Sequence, residues 1–280
     1  MKINGIDVSH HQGVIDWEKV IANGTIKFAI LRIGYSKKDG KGGLNLDRQF
    51  YRNIRECNRL GLPVGIYVYC YDDSPAASKI TCDAICEILA PFKIEYPVIY
   101  DIEYENNAGL RNDVNDETII AAMKSFEAHG YYGMVYASRD FFLHHVSLKN
   151  LIAYDKWEAA YTQKDTPAVP NGLWQWTSRA SVPGINGPVD GDIAYKDYPG
   201  LIRKAGLNHL AETKAFKVKP TSPVLRIRSG AGTNYTPTGK YTGSNVQIIT
   251  EVRAGEGSNS GWGKLQNGAG WIALDYCTRL

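Results

Sequence analysis

The residues best suited to chemistry are carboxylates that close apolar runs. Tyr96-Pro97-Val98-Ile99 leads into Tyr100-Asp101-Ile102-Glu103, the pattern of a buried strand that ends in two acids. Side chains alternate along a strand, so Asp101 and Glu103 share a face. Crowding and partial burial disfavour ionisation, and a carboxyl that keeps its proton near neutral pH can serve as a general acid. Surface carboxylates two apart are common, so the pair gains weight only from company. Asp7 closes an earlier run, and Asp190 opens a late one, with Asp192 two residues on. Tyr67, Tyr69, Tyr136, Tyr161, Trp174, Gln175 and Trp176 fall at or near other strand ends. Acids floored by aromatic rings suit a sugar, whose pyranose faces stack on rings while acids and amides take the hydroxyls. Each ring taken singly is also an ordinary core filler. His10 and His11 are adjacent, point apart on a strand end and have no third ligand placed nearby, so no metal or cofactor is expected. Gly40-Lys41-Gly42-Gly43 matches no phosphate loop and reads as a flexible turn.

From residue 3 to about 200, β-rich runs alternate with helical patterns, which argues for parallel strands joined by helices. Strands are predicted at 5–8, 28–33, 64–70, 97–101, 132–136, 156–161, 173–177 and, weakly, 189–193, a set that suits a closed α/β barrel with active residues at the C-terminal strand ends. Asp16 can cap a short helix ended by Asn23-Gly24. Phe50, Ile54 and Cys57 share a helix face that stops at Gly61, Ser74-Pro75 opens a helix with Ile80, Ala84 and Ile88 on one face, and Ile119, Ile120, Met123 and Phe126 mark another that ends at His129-Gly130. Helices thin out after about Tyr136, so the last third of the barrel is expected to be irregular. The first domain is placed at 1–205 and a polar connector at 206–215. Over 216–280 short alternating runs punctuated by glycine predict a small all-β barrel, with strands in Leu225–Gly230, Val246–Val252, Gly261–Leu265 and Gly270–Ile272.

Composition bounds the rest. The 280 residues, 44% hydrophobic and 22% charged, can bury a full core, and no apolar run approaches the ~20 residues of a membrane span. Five scattered cysteines show no zinc-like pairing and read as reduced, with Cys82 and Cys86 as buried apolar side chains. The net charge of +3 hides a division: from Lys214 onward there are nine Lys/Arg against three Asp/Glu, and before it 23 against 26. The basic end could favour a polyanion such as teichoic acid or nucleic acid, or be simply a well-solvated small domain. Met1 to Asp7 enters a strand-like segment without a secretory leader, which favours synthesis in the cytoplasm unless the chain begins at a mature end.

Several of these stretches resemble glycoside hydrolase family 25, the Chalaropsis-type lysozymes. Gly5-Ile6-Asp7-Val8-Ser9-His10-His11-Gln12-Gly13 is similar to that family's Asp-Val-Ser-x-x-Gln opening, and Tyr100-Asp101-Ile102-Glu103 to its catalytic strand. Trp174-Gln175-Trp176-Thr177-Ser178, Val182-Pro183-Gly184-Ile185 and Val189-Asp190 resemble its Trp-Gln-Tyr-Thr segment and closing Val-Asp. The resemblance covers about residues 3–200. It implies a TIM-like barrel of eight strands and about five helices, and hydrolysis of the β-1,4 bond from N-acetylmuramic acid to N-acetylglucosamine. Carried over by position, Glu103 matches the general acid, Asp101 its partner, and Asp7 and Asp190 the pocket's other acids; Tyr67, Tyr69, Tyr136, Tyr161, Trp174 and Gln175 are the expected substrate contacts. Three positions depart from the family pattern: Val68 where His is frequent, Trp176 for Tyr, and Asp192 for Asn.

Residues 216–280 resemble bacterial Src-homology-3-like wall-binding domains through Leu225-Arg226-Ile227-Arg228-Ser229-Gly230, Gly243, Trp262 and Gly270-Trp271-Ile272. That resemblance implies contacts to a cell-wall peptide or cross-bridge, with Tyr235, Tyr241 and Trp262 as candidate residues, against the reading that the tryptophans are core. Together the resemblances imply a monomeric endolysin acting on peptidoglycan of a Gram-positive host, with neither nucleic acid nor membrane as partner, released from the cytoplasm through a holin if phage-encoded. A secreted autolysin of the same chemistry and a non-catalytic wall-binding protein are the alternatives.

Overall fold

The computed structural model describes residues 2–162, 168–210 and 215–280. It divides into two units, Met1–Ala211 and Glu212–Leu280. In the first, strands β1 (Ile3–Val8), β2 (Phe28–Ser36), β3 (Leu44–Leu46), β4 (Val64–Tyr69), β5 (Val98–Asp101), β6 (Gly133–Ser138), β7 (Asp155–Ala159), β8 (Leu173–Ala180) and β9 (Val189–Ala194) form one sheet. All but β3 close into an eight-stranded barrel through the β1–β2 pairing. Every predicted barrel strand is present. The last one differs in direction: β9 runs antiparallel to both β8 and β1. Only residues 181–188 separate β8 from β9, too few for the crossover a parallel pair needs. The reversal puts the start of β9 beside the end of β1, with Asp190 in register with Asp7.

Strand periodicity sorts the side chains into two cores. Phe28, Ile30, Ile99, Met134, Trp157, Leu173 and Ala194 fill the barrel. Ile6, Val8, Leu31, Ile66, Val98 and Val135, from the alternate positions, pack outward under the helices. Gly5 is required by this layering, because a Cβ there would lie 2.3 Å from the Phe28 ring, which stacks on Tyr96 at 4.3 Å between centroids.

Seven helices appear among the described residues, where about five were expected: α1 (Trp17–Ala22), α2 (Phe50–Leu60), α3 (Pro75–Leu89), α4 (Glu105–Ala108), α5 (Asn112–Ala128), α6 (Arg139–His144) and α7 (Tyr198–Ala205). Segments as short as α4 and α6 show too few turns for an apolar period to register. The Asp16 and Ser74 caps form as read. The face of α3 that carries Ile80, Ala84 and Ile88 is not its buried one: Ile80 is 52% exposed, and the buried face carries Ala77, Ser78, Thr81, Cys82, Ile85, Cys86 and Leu89. Small and hydroxylated side chains win that face because they allow close approach and find partners there, Ser78 donating to the Thr118 carbonyl at 2.9 Å and Thr81 to Asp72 at 3.1 Å. The glycine turn at 40–43 is anchored rather than loose. Gly43 N–H donates to Thr81 at 3.0 Å, and a Cβ on Gly42 would meet the Ala77 carbonyl oxygen at 2.3 Å.

The connector predicted over 206–215 begins later, because residues 206–210 belong to the barrel. Leu207 and Leu210 pack against its interior core. Asn208 is buried, accepts from Tyr132 N–H at 2.7 Å and donates to the carbonyls of Ile94 and Tyr96 at 3.2 and 2.9 Å. Residues 211–214 of that connector lie outside the described residues.

The second unit is one antiparallel sheet of seven strands, β10 (Phe216–Pro220), β11 (Arg226–Arg228), β12 (Pro237–Tyr241), β13 (Gln247–Gly255), β14 (Ser258–Leu265), β15 (Trp271–Ala273) and β16 (Cys277–Arg279), ordered β12-β11-β15-β14-β13-β10-β16. Val218, Ile227, Ile249, Leu265 and Ile272 make its core. Trp262 is 3% exposed, packs with Trp271 and Ala273, and donates its indole N–H to the Glu256 carbonyl at 3.1 Å. It is therefore removed from the candidate surface residues, whereas Tyr235 and Tyr241 stand exposed.

Asn208 has a left-handed backbone, φ 51°, which Asn tolerates better than Ala. With three hydrogen bonds also lost, N208A is expected to lower the unfolding free energy of the first transition by about 2–4 kcal/mol. Urea denaturation reads this; a loss under about 0.5 kcal/mol would mean that 206–210 is a mere tether.

Candidate active site

Above the hydrocarbon layer the inward positions turn polar. Asp7 ends β1, Arg32 lies on β2, Tyr67 and Tyr69 on β4, Asp101 on β5, Tyr136 on β6, Gln175 on β8, and Asp190 and Asp192 on β9. Glu103 follows Asp101 by two residues, past the strand end. The four acids singled out in the sequence thus converge at one end of the barrel, and their electrostatic effects on one another record it.

Burial is the main reason that the Asp7 carboxyl is held well above the usual carboxylate range, with Asp190 and Glu103 adding repulsion and Gln175 opposing it by a hydrogen bond. Asp101 is likewise pushed up, by burial first and then by Glu103 and Asp7, while Arg32 opposes. Its Oδ1 is buried without a hydrogen-bond partner in the described structure, which favours the neutral form. Glu103 stands at the mouth, open to solvent on one side and walled by protein elsewhere. Desolvation there raises its carboxyl, Asp190 adds to the rise, and the neighbouring Tyr136 hydroxyl works against it. Asp190 is raised by its own partial burial. Acids this close titrate as a set.

A hydrogen-bond chain ties the strands together. Gln175 Nε2 donates to Asp7 Oδ2 at 2.7 Å, and its Oε1 accepts from the hydroxyls of Tyr136 at 3.0 Å and Tyr161 at 2.9 Å. The Tyr161 ring is largely exposed at the rim. Burial pushes its hydroxyl up to about 12, with Asp190 next in effect. Tyr67, whose ring meets Trp157 edge to face, feels Asp7, Asp101 and Asp190, and Tyr69 feels Glu103 and Asp101. These five residues are placed at the mouth with the acids, Tyr161 exposed, Tyr67 and Tyr69 half-buried, Tyr136 and Gln175 buried.

Trp174 is not. Gln175 points inward, so Trp174 on the same strand points out; it is 7% exposed and its indole N–H donates to the Ala160 carbonyl at 2.8 Å. Its part is to hold the loop after β7 against β8, and it is corrected from a substrate contact to a support of that wall. Trp176, two residues on, also lies on the outer face, where a Cβ on Gly191 would meet its Nε1 at 3.1 Å.

One feature of the mouth escaped the sequence reading. It is Asp47, 3% exposed, which accepts from Arg32 Nε at 3.0 Å and Nη2 at 2.8 Å, from His10 N–H at 3.0 Å and from Gln49 N–H at 2.8 Å. Against burial, these hydrogen bonds hold its carboxyl below the usual range. His10 Nδ1 also meets Asp47 at 3.0 Å and contacts Arg32, so His10 is bound up in this cluster. The available signal was Arg32 itself, a cation at an inward position of an otherwise apolar strand. Asp192, noted in the sequence beside Asp190, is fully buried and accepts from the Trp157 indole at 2.9 Å.

Comparison with known proteins accords with this arrangement. The profile of Glycosyl hydrolases family 25 matches residues 6–185, a span that contains Asp7, Asp101, Glu103 and Gln175 and stops short of Asp190 and Asp192. YegX of Escherichia coli, an uncharacterized protein, is 28% identical over 201 residues, covering 68% of this chain and 69% of its own. The D-alanyl-L-alanine endopeptidase of Streptococcus phage B30 is 24% identical over 241 residues, 76% of this chain and 53% of that protein. Among solved structures, the modular autolysin LytC of Streptococcus pneumoniae, determined alone and with a synthetic peptidoglycan ligand, superposes with a TM-score of 0.61 at 30% identity. The match covers 69% of this chain and 47% of LytC, so the chain spans about half of that protein.

Replacing Trp174 with Phe removes a buried hydrogen bond and part of a packed ring. Its expected cost is about 1–3 kcal/mol of unfolding free energy. A change below about 0.5 kcal/mol in urea denaturation, the signature of a free surface ring, would return Trp174 to the ligand surface.

Proposed function

The chain belongs to glycosyl hydrolases family 25 and is a glycoside hydrolase, and on that premise we propose that it is a lysozyme cutting the β-1,4 bond between N-acetylmuramic acid and N-acetylglucosamine in bacterial peptidoglycan. The observation that carries the reading is the convergence of Asp7, Asp101, Glu103 and Asp190 in one mouth, each with its carboxyl raised. Likeness to LytC, solved with a peptidoglycan ligand, supports the substrate class.

Glu103 is the general acid. It is the acid that solvent and a glycan can reach, and its raised carboxyl keeps the proton that a departing sugar oxygen needs. Asp101, beneath it, meets the charge that develops at the sugar or orients the substrate's N-acetyl group. Asp7 and Asp190 keep the proton on the set by repulsion. Tyr67, Tyr69, Tyr136 and Tyr161 give the sugar rings faces to pack on, and Gln175 an amide to meet a hydroxyl.

The second unit anchors the enzyme to the wall as a Src-homology-3-like module. Its basic composition, its exposed Tyr235 and Tyr241, and a cleft of about 410 Å³ that includes Lys240, Tyr241, Gln247 and Asn267 support contact with a wall peptide or cross-bridge. The phage B30 relative favours an endolysin over an autolysin of the same chemistry. That relative is named for cleavage of a peptide bond; a mouth of raised carboxyls and tyrosines supports glycosidic cleavage here.

E103Q should abolish lysis of purified walls, a loss of at least about a thousandfold, while sedimenting with walls as the native chain does; full lytic activity in that variant refutes the assignment. The acid form of Glu103 is the active one, so activity falls as pH climbs through its raised titration. Tyr136 favours the ionised form, so Y136F should move the alkaline limb of kcat/KM to higher pH, and a shift to lower pH would contradict the role.

A further inference from the structure

We propose that Asp192 is a positioning residue: it carries a proton that it donates to Asp7, and so sets the direction of the hydrogen-bond chain that runs from Asp7 through Gln175 to Tyr136, the neighbour of Glu103. The last link rests on the reading of Glu103 as the acid; the protonated Asp192 does not.

Asp192 is 0% exposed. Its Oδ1 accepts from the Trp157 indole at 2.9 Å, and its Oδ2 is buried with no donor among the described residues. The carboxyl of Asp7, two residues along the neighbouring strand from the register partner of Asp192, is the acid that acts on it most strongly. An ionised carboxylate in this place would face a second acid in a buried layer with one hydrogen bond to stabilise it, and such a charge is costly. One proton between the two carboxyls removes a charge and occupies the orphaned Oδ2. Asp7 also accepts from Gln175 Nε2 at 2.7 Å and keeps a trace of exposure where Asp192 has none, so the proton rests on Asp192.

The surroundings agree from every side. Asp7 on β1 and Asp190 on β9 itself both repel a charge on Asp192, and burial does so more strongly than either. Tyr161, past β7, feels Asp192 as a repelling charge. Trp157 on β7 and Gln175 on β8 are neutral. Arg32 on β2 acts on Asp101 and Tyr67 and is bound by Asp47.

The consequence is directional. With Asp7 held as an acceptor by the Asp192 proton, Gln175 must turn its NH₂ to Asp7 and its carbonyl to the tyrosines. Tyr136, whose hydroxyl neighbours Glu103, is thereby given a fixed partner.

D192N and D192A separate this from simple packing. Asn reproduces a neutral acid, with its oxygen toward Trp157 and its NH₂ toward Asp7, whereas Ala removes the donor. Lysis should fall about tenfold or more in D192A and recover most of the way in D192N. Thermal unfolding from about pH 4 to about pH 8 is the second readout. A carboxyl raised in the folded state lends stability that is full below its unfolded titration and is lost as pH rises through the folded one. The Tm of D192N should therefore gain on the native Tm as pH rises. The proposal is overturned if D192N is as impaired as D192A, or if the Tm difference is flat or shrinks with pH. The unfolding measurement decides even if the chain proves not to lyse walls.

Discussion

Five carboxyl groups, Asp7, Asp101, Glu103, Asp190 and Asp192, converge at the end of a barrel whose lower interior is filled with hydrocarbon. They cannot all be ionised, and much of the surrounding architecture follows from that constraint. Gln175, Trp157 and Tyr136 donate to the acids or link them. The antiparallel β9 brings Asp190 and Asp192 against β1, where Asp190 repels a charge on Asp7. Arg32 moderates the cluster at Asp101 and is itself held by Asp47, so its charge is spent on position rather than on neutralising the set. A barrel arranged this way keeps protons at a pH where free carboxylates have lost them.

Much of this was legible in the residues, because the relevant periods are short. Two-residue alternation put Asp101 and Glu103 on one face, and the two acids do act on one another although β5 ends at Asp101. The same alternation should have set Trp174 apart from Gln175: an indole adjacent to an inward amide must face out, and grouping the two by motif concealed it. Direction was the other gap. A strand reads alike from either end, so the reversal of β9 shows in the brevity of 181–188 rather than in the residues of 189–193.

Packing against neighbours was less legible than pattern. Hydrophobicity grouped Ile80 with Ala84 and Ile88 on one face of α3, but the buried face takes Ser78 and Thr81, whose hydroxyls find partners in Thr118 and Asp72. Asn208 was hidden for the same reason, since its three partners lie more than seventy residues away. Asp47 serves Arg32 and His10 across the fold and resembles a surface acid in the sequence. In the second unit, alternation found the strands around Ile227, Ile249 and Ile272. It could not tell a core tryptophan from a binding one, and burial assigns Trp262 to the core.

Cleavage of a glycosidic bond by the acid-lined mouth is tested most directly by the chemistry of the product. Purified Gram-positive wall would be digested with the full chain, reduced with borohydride and hydrolysed, and the new reduced ends identified. Muramicitol, absent from an E103Q digest, is the predicted product. Glucosaminitol would place the cut on the other glycosidic bond, and new amino groups without a reduced sugar would contradict glycoside hydrolysis of the wall altogether.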